Sequence, residues 1–303
     1  MSTETYVYAD VRHPAMDAPS FGSVLCPIIT PFRNDGVDHA SLARLARTLV
    51  DAGVDGIVVC GTTGEFASMT WKERRRAVET VIDAVGDRVS VIAGAAATSV
   101  ADVAERVDAV TLLGADAALV PPPFFHGGGA IEPFYEGVLA RSEGRIALYN
   151  IPSCTGTSLT PELAASVGTH DRVVGMKDSG GDLVRFVRFR ESLPADVPLY
   201  QGWDVLVAAS MAFGGAGAVA GLANVAPEVV VDVAAAGRAG AFAEASAITI
   251  EALLPRLDAC GAAGYVPTLK ATLAARGTIA SAAVRPPHEP IDHTDWQVPA
   301  ALQ

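Results

Sequence analysis

Lysine occurs only three times in this chain of 303 residues, at Lys72, Lys177 and Lys270. Lys177 closes an apolar run, Val173-Val174-Gly175-Met176. An amine held at the end of such a run faces a low-dielectric wall, which favours its neutral, nucleophilic form. That form condenses with a ketone to a Schiff base, and the iminium then withdraws electrons from a neighbouring carbon–carbon bond. The plainer reading is a lysine that snorkels from a strand end toward a surface carboxylate. Other segment ends weigh against it. Tyr149 closes the preceding apolar run and places a phenol where protons would have to move. Gly61-Thr62-Thr63-Gly64-Glu65 offers two hydroxyls and a glycine-flanked turn suited to a carboxylate. Taken singly, a tyrosine is more often a core aromatic, a glycine-rich turn is often only a turn, and Glu65 reads as a cap for the next helix. Ser179, Gly202, Asp204, Gly221, Asn224 and the segment Pro121 to His126 stand at further ends, where they could face the same mouth.

These residues need a scaffold that gathers strand ends. Apolar runs suited to strands fall at 24–29, 56–60, 89–92, 117–120, 146–151, 173–176, 198–200 and 216–220. Their spacing leaves room for a helix between each pair. Leu42, Leu45, Ala46 and Leu49 share one helix face behind a cap at Asp38. Thr70 with Glu73 forms a capping box, and Thr160 caps a helix that has Pro161 at its first position. Gly53, Gly86 and Gly114 supply helix stops. Eight such units in series predict an α/β fold, a (β/α)8 TIM barrel whose reactive groups lie at the C-terminal strand ends. The expected organisation is an N-terminal extension over 1–20, the barrel over 21–236, and a C-terminal helical region with a proline-broken surface tail over 237–303.

The surplus of 34 acidic over 22 basic residues gives a net charge of −12, which disfavours nucleic acid and anionic membranes as partners. The first 20 residues lack a basic-then-apolar signal pattern, and four dispersed cysteines lack a C-x-x-C pair, so a reducing, cytoplasmic setting is expected. The six histidines show no ligand spacing, so no metal site is expected. Gly215 to Ala220 is close to a dinucleotide fingerprint but precedes a strand instead of following one.

The segments GTTGE at 61–65, YNIPSCTG at 149–156, GMKDSGGD at 175–182, GGAGAVAGLANVAPE at 214–228 and VPTLKATLAARG at 266–277 resemble the dihydrodipicolinate synthase and N-acetylneuraminate lyase family. The resemblance spans about residues 22–290. It implies a TIM barrel with a helical C-terminal extension, a homotetramer built as a dimer of dimers, and no metal or organic cofactor. It further implies a lysine Schiff base that makes or breaks a bond to C3 of pyruvate, with an aldehyde as second partner. Carried over by position, Lys177 is the Schiff-base lysine and Tyr149 the phenol that moves protons. Thr62 and Thr63 bind the pyruvate carboxylate, helped by main-chain groups near Ala220 and Gly221, and Thr63 is counted with Lys177 and Tyr149 among the catalytic residues.

Two positions depart from the synthase pattern. Cys154 stands where the resemblance places an arginine for a distal carboxylate, and Phe125 stands where it places a relay tyrosine. The expected substrate is therefore a 2-keto-3-deoxy sugar acid, with hydroxyls met by Ser179, Asp204, Asn224 and His126 and with Gly202, Phe125 and Cys154 lining the site. The alternatives are a deoxy-keto sugar acid dehydratase, 4-hydroxy-tetrahydrodipicolinate synthase, or a keto-acid sensor without turnover. An aromatic aldehyde partner is disfavoured by the absence of a tryptophan-rich loop.

Overall fold

The computed structural model describes residues 21–125, 130–261, 264–291 and 296–303. The N-terminal extension and His126 lie outside the described residues. Eight parallel strands close a barrel in sequence order: β1 (Val24–Pro27), β4 (Gly56–Val59), β5 (Ser90–Gly94), β6 (Ala117–Val120), β7 (Ile146–Asn150), β8 (Val173–Asp178), β9 (Leu199–Gln201) and β10 (Gly217–Val219). A small hairpin, β2 (Phe32–Arg33) with β3 (Gly36–Val37), stands apart from it. Parallel strands covered on both faces read as unbroken apolar runs, and all eight expected runs became barrel strands. One interior space is lined by every strand, through Leu25, Val58, Ile92, Leu119, Ala147, Lys177, Tyr200 and Val219. Phe21, buried beside them, closes the N-terminal end.

The helices that wrap the barrel are α1 (His39–Asp51), α2 (Trp71–Val85), α3 (Val100–Leu112), α4 (Ile131–Leu139), α5 (Pro152–Thr155), α6 (Pro161–Gly168), α7 (Leu183–Ser192), α8 (Val207–Ala212) and α9 (Pro227–Arg238). Their starts follow from local chemistry. Asp38 accepts from the backbone N–H of Ser41, Thr160 accepts from that of Leu163, and the Thr70–Glu73 box is reciprocal. Such caps each contribute about 1 kcal/mol. Gly53, Gly86 and Gly114 all take positive φ at helix ends, as their stop role requires.

Beyond the barrel, α10 (Phe242–Ile248) passes through a π-turn into α11 (Leu254–Gly261), and α12 (Tyr265–Ala275) follows. The tail is more firmly held than a surface strap: Leu302 is buried and its carbonyl accepts from Arg276, while Ala283 bridges to Phe32. Among the described residues no helix is long and apolar enough to cross a membrane.

Candidate active site

The apolar run before Lys177 suggests a strand ending at Met176, yet β8 continues through Asp178. The reason is the ladder. Tyr149 pairs with Lys177 and Asn150 with Asp178, while Lys177 and Asp178 also pair with Tyr200 and Gln201 of β9. Side chains alternate along a strand, so Tyr149 and Lys177 share the barrel's interior face. Both are buried. Lys177 Nζ donates to Tyr149 Oη at 3.3 Å and sits 4.5 Å from the ring centroid. Tyr149 Oη lies 3.3 Å from Thr62 Oγ1, a bond in which either oxygen can be the donor. An amine, a phenol and an aliphatic hydroxyl thus form one continuous chain.

The turn that carries Thr62 and Thr63 is bounded by Cys60 and Glu65, both non-glycine residues at φ 55°. Such strain persists only where the surroundings hold it. Thr30 Oγ1 donates to the Gly64 carbonyl at 2.7 Å. Glu65 does not cap the next helix as its sequence position suggests. It is buried, forms an ion pair with Lys270 of α12, and accepts from the backbone N–H of Arg285 at 2.9 Å. Burial pulls the Lys270 ammonium down to about 8 against the opposing pull of Glu65. Lys270 also donates to the Ala283 carbonyl at 2.9 Å, so the C-terminal region braces the threonine turn.

The facing wall comes from the ends of β8, β9 and β10. Gly202 is a close approach: a Cβ there would fall 2.0 Å from Ser179 Oγ and 2.9 Å from Lys177 Cε. Asp178 faces away from the mouth and ties the strand ends together, accepting from Asn150 Nδ2 at 2.7 Å and from the Gly180 N–H at 2.9 Å. Asp204 is buried, and its Oδ1 accepts from the Leu222 N–H at 3.0 Å. Burial pushes its carboxyl up to about 6, partly opposed by hydrogen bonds and the charge of Lys177. Ala220 and Gly221 are buried just past β10. Asn224 does not serve substrate hydroxyls as the sequence suggests. Its Oδ1 accepts from the Ile29 N–H, and its Nδ2 donates to the carbonyls of Pro27 and Gly221, so its amide is committed to backbone.

The raised Asp204 carboxyl has a consequence for stability. The folded protein retains a proton that the unfolded chain releases between about pH 4 and pH 6, so Asp204 erodes stability as pH rises through that window. At neutral pH the cost is roughly 3 kcal/mol, at 1.36 kcal/mol per pH unit. Asp204→Asn keeps an acceptor for Leu222. It is expected to raise the denaturant midpoint at pH 7.5 and leave it unchanged at pH 4. An equal or lower midpoint at pH 7.5 would contradict the burial argument.

At the rim, Cys154 is exposed on the short α5, and Phe125 is exposed at the end of the described β6 loop. Phe124 packs edge-on against Phe66 at 6.5 Å. Trp203 stands between Gly202 and Asp204 at the end of β9. It is 49% exposed, donates from its indole to the Ser179 carbonyl at 2.9 Å, and lies over Gly181.

The profile of the dihydrodipicolinate synthetase family matches residues 20–301. The chain belongs to this family. It is accordingly an enzyme, a pyruvate-dependent carbon–carbon lyase or synthase of the class I type. A 4-hydroxy-tetrahydrodipicolinate synthase from Methanopyrus kandleri is 37% identical over 242 residues, covering 77% of this chain and 79% of that protein. One from Methanosphaerula palustris is 32% identical over 289 residues, covering 93% and 97%. The crystal structure of a prophage protein of the dihydrodipicolinic acid synthase family from E. coli K12, in complex with pyruvate, superposes with a TM-score of 0.84 at 27% identity, covering 91% of this chain and 95% of that one. The relatives carry the synthase name and not that of a sugar acid aldolase, so family membership alone does not extend to the sugar acid expected from Cys154.

Proposed function

We propose that Lys177 forms a Schiff base with pyruvate and that the enzyme makes or breaks a bond between pyruvate C3 and an aldehyde carbon. The observation that carries this is the Lys177–Tyr149–Thr62 chain at the C-terminal mouth. Lys177 attacks the keto carbon, water leaves, and the iminium accepts the electrons released when a C3 proton or the C3–C4 bond is lost. Tyr149 passes the protons that these steps release and require, with Thr62 as the next station. Thr62, Thr63 and the main chain near Ala220 and Gly221 hold the carboxylate. Gly202 leaves room beside Lys177 Cε for the new bond. On this scheme the iminium is the electron sink and no organic cofactor takes part. A keto-acid sensor would need no such nucleophile.

For the second substrate, the names of the relatives favour aspartate semialdehyde, that is, the 4-hydroxy-tetrahydrodipicolinate synthase reaction. A specific observation favours a second reading, a 2-keto-3-deoxy sugar acid cleaved to pyruvate and a neutral aldehyde. A carboxylate carried into a barrel mouth needs a cation, and the exposed side chain of α5 is the uncharged Cys154. Arg185, which reaches the segment after α5, is bound to Ser158 Oγ, whose own partner Asn150 faces away from the mouth. Parallel assays decide between them. Pyruvate release from 2-keto-3-deoxygluconate with negligible condensation of aspartate semialdehyde supports the second reading, and the reverse result establishes the synthase. Assembly as a homotetramer belongs to the same proposal. Val184, Phe213 and Ile250 leave apolar surface for it, and a solution mass of one chain would remove it.

A further inference from the structure

Lys270 of α12 and Glu65 of the threonine turn form an ion pair in which neither side chain has any exposed surface. Such a pair cannot touch substrate, so any part it plays in the reaction acts through the residues it holds. A buried ion pair is also weak evidence for stability. Removing two charges from water offsets much of their attraction, and an apolar pair of similar volume often serves as well.

The backbone of Glu65 gives the pair another purpose. It is left-handed, at φ 55°, a region that a residue with a side chain holds only where its surroundings fix it. The Glu65 N–H donates to the Thr62 carbonyl at 3.0 Å, and the Gly64 N–H donates to that of Gly61 at 3.1 Å. The turn therefore closes on itself at Glu65. From there the side chain leads to the C-terminal region: one carboxylate oxygen meets Lys270, and the other accepts from the Arg285 N–H at 2.9 Å. Lys270 Nζ lies 4.1 Å and Arg285 Cζ 4.3 Å from the centroid of the Phe32 ring, so one aromatic seats both cations. A return of Glu65 to negative φ would draw its carboxylate off both partners and release the Thr62 carbonyl that its N–H holds. Thr62 Oγ1, now 3.3 Å from Tyr149 Oη, would lose its fixed place.

We propose that Lys270 and Glu65 are positioning residues for the pyruvate carboxylate, the ion pair and the Arg285 segment together holding the turn so that Thr62 and Thr63 present one fixed cradle. This rests on the reading that those threonines hold the carboxylate. Coupling of this kind is reciprocal. If the C-terminal contacts favour the cradle, a bound carboxylate must favour the C-terminal contacts.

The test compares borohydride trapping of pyruvate with that of acetone, which offers Lys177 a ketone without the carboxylate. Lys270→Met leaves the Glu65 carboxylate buried and unpaired, so Glu65→Gln/Lys270→Met, which carries neither charge, is measured beside it. In both variants the preference for pyruvate, read from half-saturating concentrations, is expected to fall about 10- to 100-fold, the scale of hydrogen bonds to a charged group. Trapping of acetone should not change. An unchanged preference, or an equal loss with both ketones, gives the pair a packing role and overturns the proposal. A second measurement needs no variant. Amide exchange in the segment that holds Arg285 is expected to be slower in the trapped pyruvate adduct of the wild type than in its acetone adduct, and equal exchange overturns the proposal as well. A wild type that traps neither ketone overturns the Schiff-base reading instead. Equal trapping of both by the wild type removes the carboxylate role of the threonines, and this proposal with it.

Discussion

Lys177→Ala is expected to abolish both covalent capture of pyruvate and carbon–carbon bond turnover, by at least about 10⁴-fold, because the electron sink exists only once the amine has condensed. The other two lysines offer no substitute. Lys72 is exposed on α2, and Lys270 is fully buried with its ammonium held by Glu65 and the Ala283 carbonyl. Borohydride with pyruvate should therefore label Lys177 alone, read by peptide mapping, and Lys72→Ala should label as wild type does. The variant should remain folded, since Lys177 makes its polar contact with Tyr149 and its stem can be replaced by solvent entering from the mouth. An adduct mapped to Lys72 or Lys270, or full turnover by Lys177→Ala, would remove the mechanism.

The barrel was legible because its strands are covered on both faces, so each run had to be apolar along its whole length. The ends were less so. Lys177 and Asp178 look like loop residues by composition, yet each has partners on both neighbouring strands. Candidate site residues could be named at strand ends because a barrel of this kind gathers its chemistry there. Glu65 could not. Its neighbours suggest a cap, while one of its partners, Arg285, is 220 positions away. A signal for Lys270 did exist: it is one of three lysines and lies in 266–273, every residue of which is buried. Applying to it the scarcity argument used for Lys177 would have flagged a buried charge in need of a carboxylate.

Tyr149→Phe separates a proton carrier from a packing aromatic. The ring is retained in the variant, and with it the contact to the Lys177 ammonium 4.5 Å from the centroid and the packing in the interior layer. What disappears is the single oxygen that links Lys177 to Thr62 through two contacts of 3.3 Å. Stability should change by no more than about 1–2 kcal/mol, the net value of two modest hydrogen bonds. Catalysis should change far more, because carbinolamine collapse and bond making at C3 each need a proton delivered or removed at this point. The expected fall in kcat is about 10²-fold or more, the usual scale of acid–base assistance. The threonine turn is braced from Thr30 and Lys270 and does not depend on the phenol, so KM for pyruvate should move much less than kcat. Borohydride should still trap pyruvate on Lys177 in the variant, only more slowly. A kcat equal to that of the wild type would return Tyr149 to a packing role, and the proton path would then have to run from Thr62 or solvent directly.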